Sequence, residues 1–277
     1  MIDLDGLAVG GYSLGGFASC LDVPTFKLAV DMGVCIDRVV SRNLILITHA
    51  HVDHLGALAQ HAAQRGLRRM KPATYILPPG IEDDVVELLN SWRKLDGGAL
   101  QANLVTLEPG ESHAVRADLA VRPFRTRHRV VSQGYLFESS KKRLADQYQS
   151  LTGDEIRELR GQGVDVGVTT TSLSLAVTGD TRLDAVLAQP EVLGAERLVL
   201  ECTFMDDAID IEGARSRGHV HLYEVAEAAE AGLFTGKALL LNHVSPRHSK
   251  AEALNQMKRH LPPDLMARTQ LMVGAVS

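Results

Sequence analysis

Apolar residues in this chain come mostly in short unbroken runs. Leu44-Ile45-Leu46-Ile47, Leu198-Val199-Leu200 and Leu239-Leu240-Leu241 are the clearest. Runs of this length bounded by polar residues predict strands buried on both faces. Further strands are expected at 27–30, 74–77, 104–107, 119–124, 135–137 and 172–178, and the glycines crowding residues 6–16 suggest tight hairpins. Helical spacing runs over 55–65, stopping at Gly66, over 81 to about 95, and over 221–231. Thr152-Gly153-Asp154-Glu155 and Ser249-Lys250-Ala251-Glu252 are capping boxes, each with a hydroxyl at the N-cap and a carboxylate three residues on. The first opens a helix ending near Gly161, and Pro262-Pro263 halts the second. Strands and helices alternate loosely, and several strands follow one another with no helix between. The class is therefore α/β without a simple parallel sheet. No repeat or linker interrupts the chain, so one domain over 1–277 is expected.

Composition adds bounds. The 277 residues can bury a large core, and the 45% hydrophobic and 23% charged fractions are those of an ordinary globular chain. No apolar run reaches membrane-spanning length. The start, Met1-Ile2-Asp3-Leu4-Asp5, lacks the layout of a signal peptide. Cys20, Cys35 and Cys202 are an odd, scattered set that argues against a disulfide framework and fits a reducing cytoplasm. Net charge is −5, yet Arg122, Arg125, Arg127, Arg129, Lys141, Lys142 and Arg143 form a basic stretch opposed within it only by Glu138. Such a local field suits a polyanion even in an acidic protein.

Candidate chemistry begins where the first buried run ends. Thr48-His49-Ala50-His51-Val52-Asp53-His54 delivers three imidazoles and a carboxylate from the end of one strand. Nitrogen and oxygen donors at that density suit zinc, and further donors would hold two ions. Other strand ends supply them: His128 after 119–124, Asp180 after Val177-Thr178-Gly179, and His243 after Leu239-Leu240-Leu241-Asn242. Each is weak alone; the set is not.

The order His-x-His-x-Asp-His, His, Gly-Asp, His resembles the metallo-β-lactamase superfamily, whose fold is a four-layer αββα sandwich. Asp31 in Val30-Asp31-Met32-Gly33 resembles its early Asp-x-Gly element. Gly134-Tyr135, Glu201-Cys202-Thr203-Phe204, Gly218-His219 and Asn242-His243-Val244-Ser245-Pro246-Arg247 resemble the tRNase Z family of tRNA 3′-processing endonucleases, nearest its short plant-type branch, over almost the whole chain. The resemblance implies one zinc held by His49, His51 and His128, another by Asp53, His54 and His243, and Asp180 between them. It makes His219 and Glu201 a proton-donating pair and gives Asp53 a part in orienting the attacking water. It also implies a homodimer and a short or ordered substrate-binding arm around 138–170. The chain departs from the family pattern at Leu200, Val131, Val220-His221 and His248.

The activity so implied is zinc-dependent hydrolysis of a phosphodiester in precursor tRNA, leaving a 3′-hydroxyl on the tRNA and a 5′-phosphate on the trailer. Two cations would clamp the attacking and leaving oxygens of an in-line displacement. Ser132 and Arg247 are candidate phosphate contacts, and Lys141, Lys142 and Arg143 candidate tRNA contacts. The same donors also suit manganese or iron. Two other functions stay open on these residues: a hydrolase or phosphodiesterase acting on a small substrate, and an RNA-binding protein without catalysis.

Overall fold

Residues 44–47 are a strand buried on both faces because the sheet that contains it has something on each side. In the computed structural model, which describes residues 1–276, Leu44 and Leu46 face a second sheet, whereas Ile45 and Ile47 face helices. The first sheet runs β1 (Ile2–Leu4), β2 (Leu7–Leu14), β3 (Ala18–Val23), β4 (Leu28–Val30), β5 (Leu44–Leu46), β6 (Thr74–Leu77) and β7 (Asn103–Thr106) in that order. The second runs β8 (His113–Arg116), β9 (Leu119–Arg125), β10 (Gln133–Leu144), β11 (Gly167–Val177), β12 (Arg197–Glu201), β13 (Ala238–Asn242) and β14 (Thr269–Leu271). β15 (Gly274–Val276) returns to pair with β2. In each sheet three antiparallel pairings are followed by three parallel ones. The two halves thus share one plan, and the expectation of mixed sheets holds.

Three apolar clusters make the layers. One lies between the sheets, with Leu46, Ile76, Tyr135, Leu175, Val199 and Leu240. A second packs Leu198, Leu200, Leu239 and Leu241 against Val225 and Met257 of the outer helices, and a third packs Ile45 and Tyr75 against Leu58 and Leu89. This is the αββα sandwich in a single domain. No described helix is long and apolar enough to cross a membrane, and all three cysteines are free.

Three sequence expectations need correction. The helix expected over 55–65 is broken into Val52–Leu55 and Leu58–Leu67, because Met32 reaches in between, donating to His54 O and accepting from Ala57 N. The strand expected at 135–137 runs on to Leu144, paired with β11 back to Gly167. Its outer half is polar because it leaves the sandwich as a two-stranded ribbon with solvent on both faces, so no hydrophobic signal marked it. The helix over 221–231 starts at Leu222, with His221 as its N-cap.

The sandwich also buries a histidine far from the candidate ligands. His61 is fully enclosed, its Nδ1 2.6 Å from the Tyr75 hydroxyl and its Nε2 3.3 Å from Val39 O. Burial holds its pKa down at about 4, against an ordinary 6.5. Between those values the unfolded chain binds a proton that the folded chain refuses, so stability falls as pH drops through this window, by up to about 3 kcal/mol for this group. His61→Gln keeps the hydrogen-bonding groups without the titration. Its unfolding free energy, followed by urea denaturation, is expected to fall less than the wild-type value between pH 7 and pH 4.5. Parallel curves would rule out this contribution.

Candidate metal centre

The candidate ligands gather where the parallel strands of both sheets end, the edge at which α/β sheets generally place their sites. His49 follows β5 by three residues, His51 caps the helix Val52–Leu55, and that helix carries Asp53 and His54. The opposite half contributes His128 from the β9–β10 loop, Asp180 after β11 and His243 after β13. Close backbone packing seats them. A Cβ on Gly33 would lie 1.7 Å from Asp53 O, which explains the glycine two residues after Asp31. Gly179, at φ +60°, packs against Thr48, where a Cβ would come within 2.6 Å. His243 itself sits at φ +58°, a left-handed conformation uncommon outside glycine but more open to histidine than to β-branched residues, and its N–H is held by Ser13 Oγ at 2.9 Å.

The two expected donor sets result, and a third, overlapping group joins Asp180 and His243 to His219. His49 Nε2 and His128 Nε2 lie 3.1 and 3.2 Å from His51 Nδ1, with Asp180 Oδ2 at 3.7 and 3.8 Å from the first two. His54 Nε2 and His243 Nε2 are 3.2 Å apart, Asp53 Oδ2 lies 3.6 and 3.4 Å from them, and Asp180 Oδ1 lies 3.4 Å from His54 Nε2. Asp180 faces both sets, Oδ2 toward His49 and His128 and Oδ1 toward His54.

The outer ring nitrogens decide what the inner ones can hold. His128 Nδ1 donates to Gly218 O at 2.8 Å, and His54 Nδ1 donates to Asp31 Oδ2 at 2.7 Å. Neither acceptor can give a proton, so the inner nitrogens of the neutral rings are bare. His49, His51 and His128 are all held below the ordinary histidine range, chiefly by burial, His49 down to about 2. His49 Nε2 and His128 Nε2 thus both crowd His51 Nδ1 at hydrogen-bond distance, and the Gly218 carbonyl fixes the His128 lone pair toward it. Asp180 Oδ1 is buried with no hydrogen-bond partner among the described residues. Zinc–nitrogen bonds of about 2.0–2.1 Å at tetrahedral angles would place donors roughly 3.3 Å apart. The residues fit a pair of divalent cations.

The carboxylates balance the second set. Burial opposes ionisation of Asp180, but His243, His54 and His49 outweigh it and hold the acid well below its ordinary range. Asp53 is likewise held low against burial by His243 and His54, and its Oδ2 also accepts from Gly16 N at 2.9 Å. For His54, burial is overcome by Asp180, Asp31 and Asp53, which draw its pKa up to about 10. A cation held there would take the place of that proton.

Beside the cage, His219 Nδ1 lies 2.9 Å from Glu201 Oε1. Glu201 is buried at the end of β12 and accepts from Thr181 N, Val220 N, Thr203 N and the Thr203 hydroxyl as well. Burial works against a charge on His219, but Glu201 and Asp180 outweigh it and raise the pKa to about 9 in the metal-free chain.

The remaining sequence candidates fall at different distances. Ser132 bridges to the His49 backbone, with its hydroxyl 2.7 Å from Thr126 Oγ1. Arg247 lies over the Phe204 ring, 6.0 Å to the centroid, and that ring is 6.0 Å from the His219 ring. Lys141, Lys142 and Arg143 are exposed on the ribbon, eight to ten residues along β10 from Gln133, or about 26–34 Å along the strand. His221 takes no part in the cage: it donates to the carbonyls of Asp206 and Ile209 and caps the helix Leu222–Glu230. Sequence reading did not single out Thr48 and Thr203, whose hydroxyls touch candidate ligand imidazoles; the one signal was Thr48 directly before His49, and Thr203, 40 residues from His243, had none.

Residues 33–243 match the model of a beta-lactamase superfamily domain. The chain is 39% identical to tRNase Z TRZ1 of Arabidopsis thaliana over 269 residues, 96% of this chain and 95% of that one. Among solved structures it resembles human tRNase Z, short form, at TM-score 0.60 and 18% identity, with 97% of each chain covered. It also resembles Zn(2+)-bound PqqB from Methylobacterium extorquens, at TM-score 0.63 and 15% identity, with 97% and 98% covered. The two structural likenesses speak to the fold, the sequence identity to the family. With its domain, ligand order and closely spaced donor sets in place, the chain belongs to the tRNase Z family of the metallo-β-lactamase superfamily.

Proposed function

We propose that this metallo-hydrolase is an endoribonuclease that removes the 3′ trailer of precursor tRNA, leaving a 3′-hydroxyl on the tRNA and a 5′-phosphate on the trailer. The observation that carries the reading is the Glu201–His219 pair, 2.9 Å apart and beside both donor sets. Held by His49, His51, His128, Asp53, His54, His243 and Asp180, two divalent cations, zinc by the donor chemistry, would lower the pKa of a water and neutralise phosphate charge. The ribose 3′-oxygen is a poor leaving group and needs a proton as its bond to phosphorus breaks. Glu201 fixes Nδ1 of His219, so the proton leaves from Nε2 toward that oxygen. Asp53, tethered by Gly16 N, is placed to orient the attacking water. Arg247 and Ser132 at the rim are suited to phosphate oxygens. Purified protein given one tRNA with a 3′ trailer should yield a product ending in a 3′-hydroxyl at the end of the mature acceptor stem. Turnover of bis(p-nitrophenyl) phosphate with the precursor left intact would instead favour a small phosphodiester as substrate.

The arm bears on substrate grip. From Ser139 to Leu173 its cations Lys141, Lys142, Arg143, Arg157 and Arg160 are matched by Asp146, Asp154, Glu155, Glu158 and Asp165. Lys142 pairs with Asp165 at 3.0 Å, Arg143 with Asp146, and Arg157 with Asp154 at 2.9 Å. Any pull on RNA is local to Lys141–Arg143. Replacing all three by alanine is expected to weaken precursor binding and to flatten its dependence on log salt by roughly 2, at about 0.7–0.9 per phosphate contact. An unchanged slope would remove the arm from the interface.

A homodimer is the second part of this reading. Phe17 and Val52 are 68% and 82% exposed beside the cage, and with Trp92 and Leu100 they line an apolar groove of about 580 Å³. Apolar surface of this kind favours cover by a partner. Trp92→Glu should shift sedimentation from dimer to monomer; a wild-type chain sedimenting as a monomer would sink the idea.

A further inference from the structure

Thr203 lies two residues beyond β12 and is almost fully buried. Its hydroxyl is 2.8 Å from Glu201 Oε2, 3.0 Å from His243 Nδ1 and 3.3 Å from His219 Nδ1. A hydroxyl offers one proton and two lone pairs. A carboxylate oxygen can only accept, so the proton points to Glu201. What faces His243 is then a lone pair, which can only receive a proton from Nδ1. Asp180 Oδ1, the other acceptor near that nitrogen, is farther away at 3.4 Å. His243 is thereby kept with its proton on Nδ1 and Nε2 bare toward Asp53 and His54.

The other half of the fold repeats the wiring. Thr48 Oγ1 lies 2.9 and 3.0 Å from the two Asp31 oxygens and 3.0 Å from His49 Nδ1. Each half therefore joins a buried carboxylate to a ligand imidazole through one threonine hydroxyl. Only in the second half does the same carboxylate also hold the proton donor.

We infer that Thr203 is a positioning residue whose single hydroxyl sets the tautomer of His243 and ties that ligand to the Glu201–His219 pair. The inference rests on the two-cation reading above. Removing the hydroxyl leaves His243 free to put its proton on Nε2, where it competes with a cation, and frees one Glu201 oxygen from its strongest tether. Groups that orient metal-bound imidazoles in this way are typically worth 10–100-fold in metal affinity.

Thr203→Val keeps the shape and removes the hydroxyl. Two measurements on the full chain test it: zinc affinity by competition with a chromophoric chelator, and imidazole proton–nitrogen NMR of the zinc-loaded protein. Expected are a second zinc bound 10–100-fold more weakly with the first unchanged, loss of the protected His243 Nδ1–H signal, and recovery of both in Thr203→Ser. Thr203→Ala carries the same expectation should the valine variant not fold. If the wild type holds two zinc ions and the variant holds both equally tightly with the His243 signal intact, Thr203 has no such role. A wild type that binds no zinc would overturn the cation reading itself, a distinct outcome.

Discussion

Replacing His219 by alanine is expected to lower kcat on precursor tRNA by about 10²–10⁴-fold while both cations stay bound. The two parts of that statement come from separate geometry. His219 Nδ1 is committed to Glu201 at 2.9 Å and lies 3.9 Å from Asp180 Oδ2, so the ring borders the donor sets without completing either of the two expected from the sequence. Elemental analysis should therefore return the wild-type metal content. The pH profile gives a second check. His219 must carry its proton to donate it, so the wild-type rate is expected to fall on the alkaline side. Bound cations lower its pKa by repulsion, which puts that limb below the value of about 9 reached in the metal-free chain. In the alanine variant the limb should vanish. A substrate whose leaving group needs no proton, such as p-nitrophenolate, should lose far less. Equal losses on both substrates would mean that the residue acts through structure rather than as an acid.

The candidate ligands were legible because metal chemistry restricts residue type and because strand ends are marked by apolar runs. His49 to His54 follow Leu44–Ile47 directly, and His243 follows Leu239–Leu241. Their convergence was not legible from spacing: His54 and His243 are 189 residues apart and meet at 3.2 Å only because two halves with the same strand plan face each other. That step needed the resemblance. Hydrogen-bond wiring was least visible. Thr48 and Thr203 are ordinary residues, and their effect depends on which ring nitrogen each hydroxyl meets. Polar strands also escaped, since residues 138–144 carry no buried face to give them a period. His221 is the contrasting case, a histidine that departs from the family pattern and carries no expected catalytic part. It lies two positions from His219, caps a helix and holds the Asp206–Ile209 loop.

Asp180→Asn is expected to empty both cation positions, not one. Its two oxygens point into different donor sets, Oδ2 toward His49 and His128 and Oδ1 toward His54. Its charge is also what lets five imidazoles crowd around it, at 3.4–3.9 Å. An asparagine keeps the shape and loses the charge, and its NH₂ would point at nitrogens that must stay bare. His51→Ala, by contrast, opens only the set that includes His49 and His128, and should leave the other cation in place. Stoichiometry therefore separates a bridging carboxylate from one that belongs to a single ion. Stability gives an independent reading. With free zinc about a thousandfold above Kd, each site adds roughly 4 kcal/mol to the folded state. At about 2 °C per kcal/mol for a domain of this size, chelation should lower the wild-type Tm by on the order of 15 °C. The same chelator should barely move Asp180→Asn, which has nothing to lose. If that variant kept one tightly bound zinc and half of the chelation shift, Asp180 would be an ordinary ligand and the paired-cation arrangement would need another bridge.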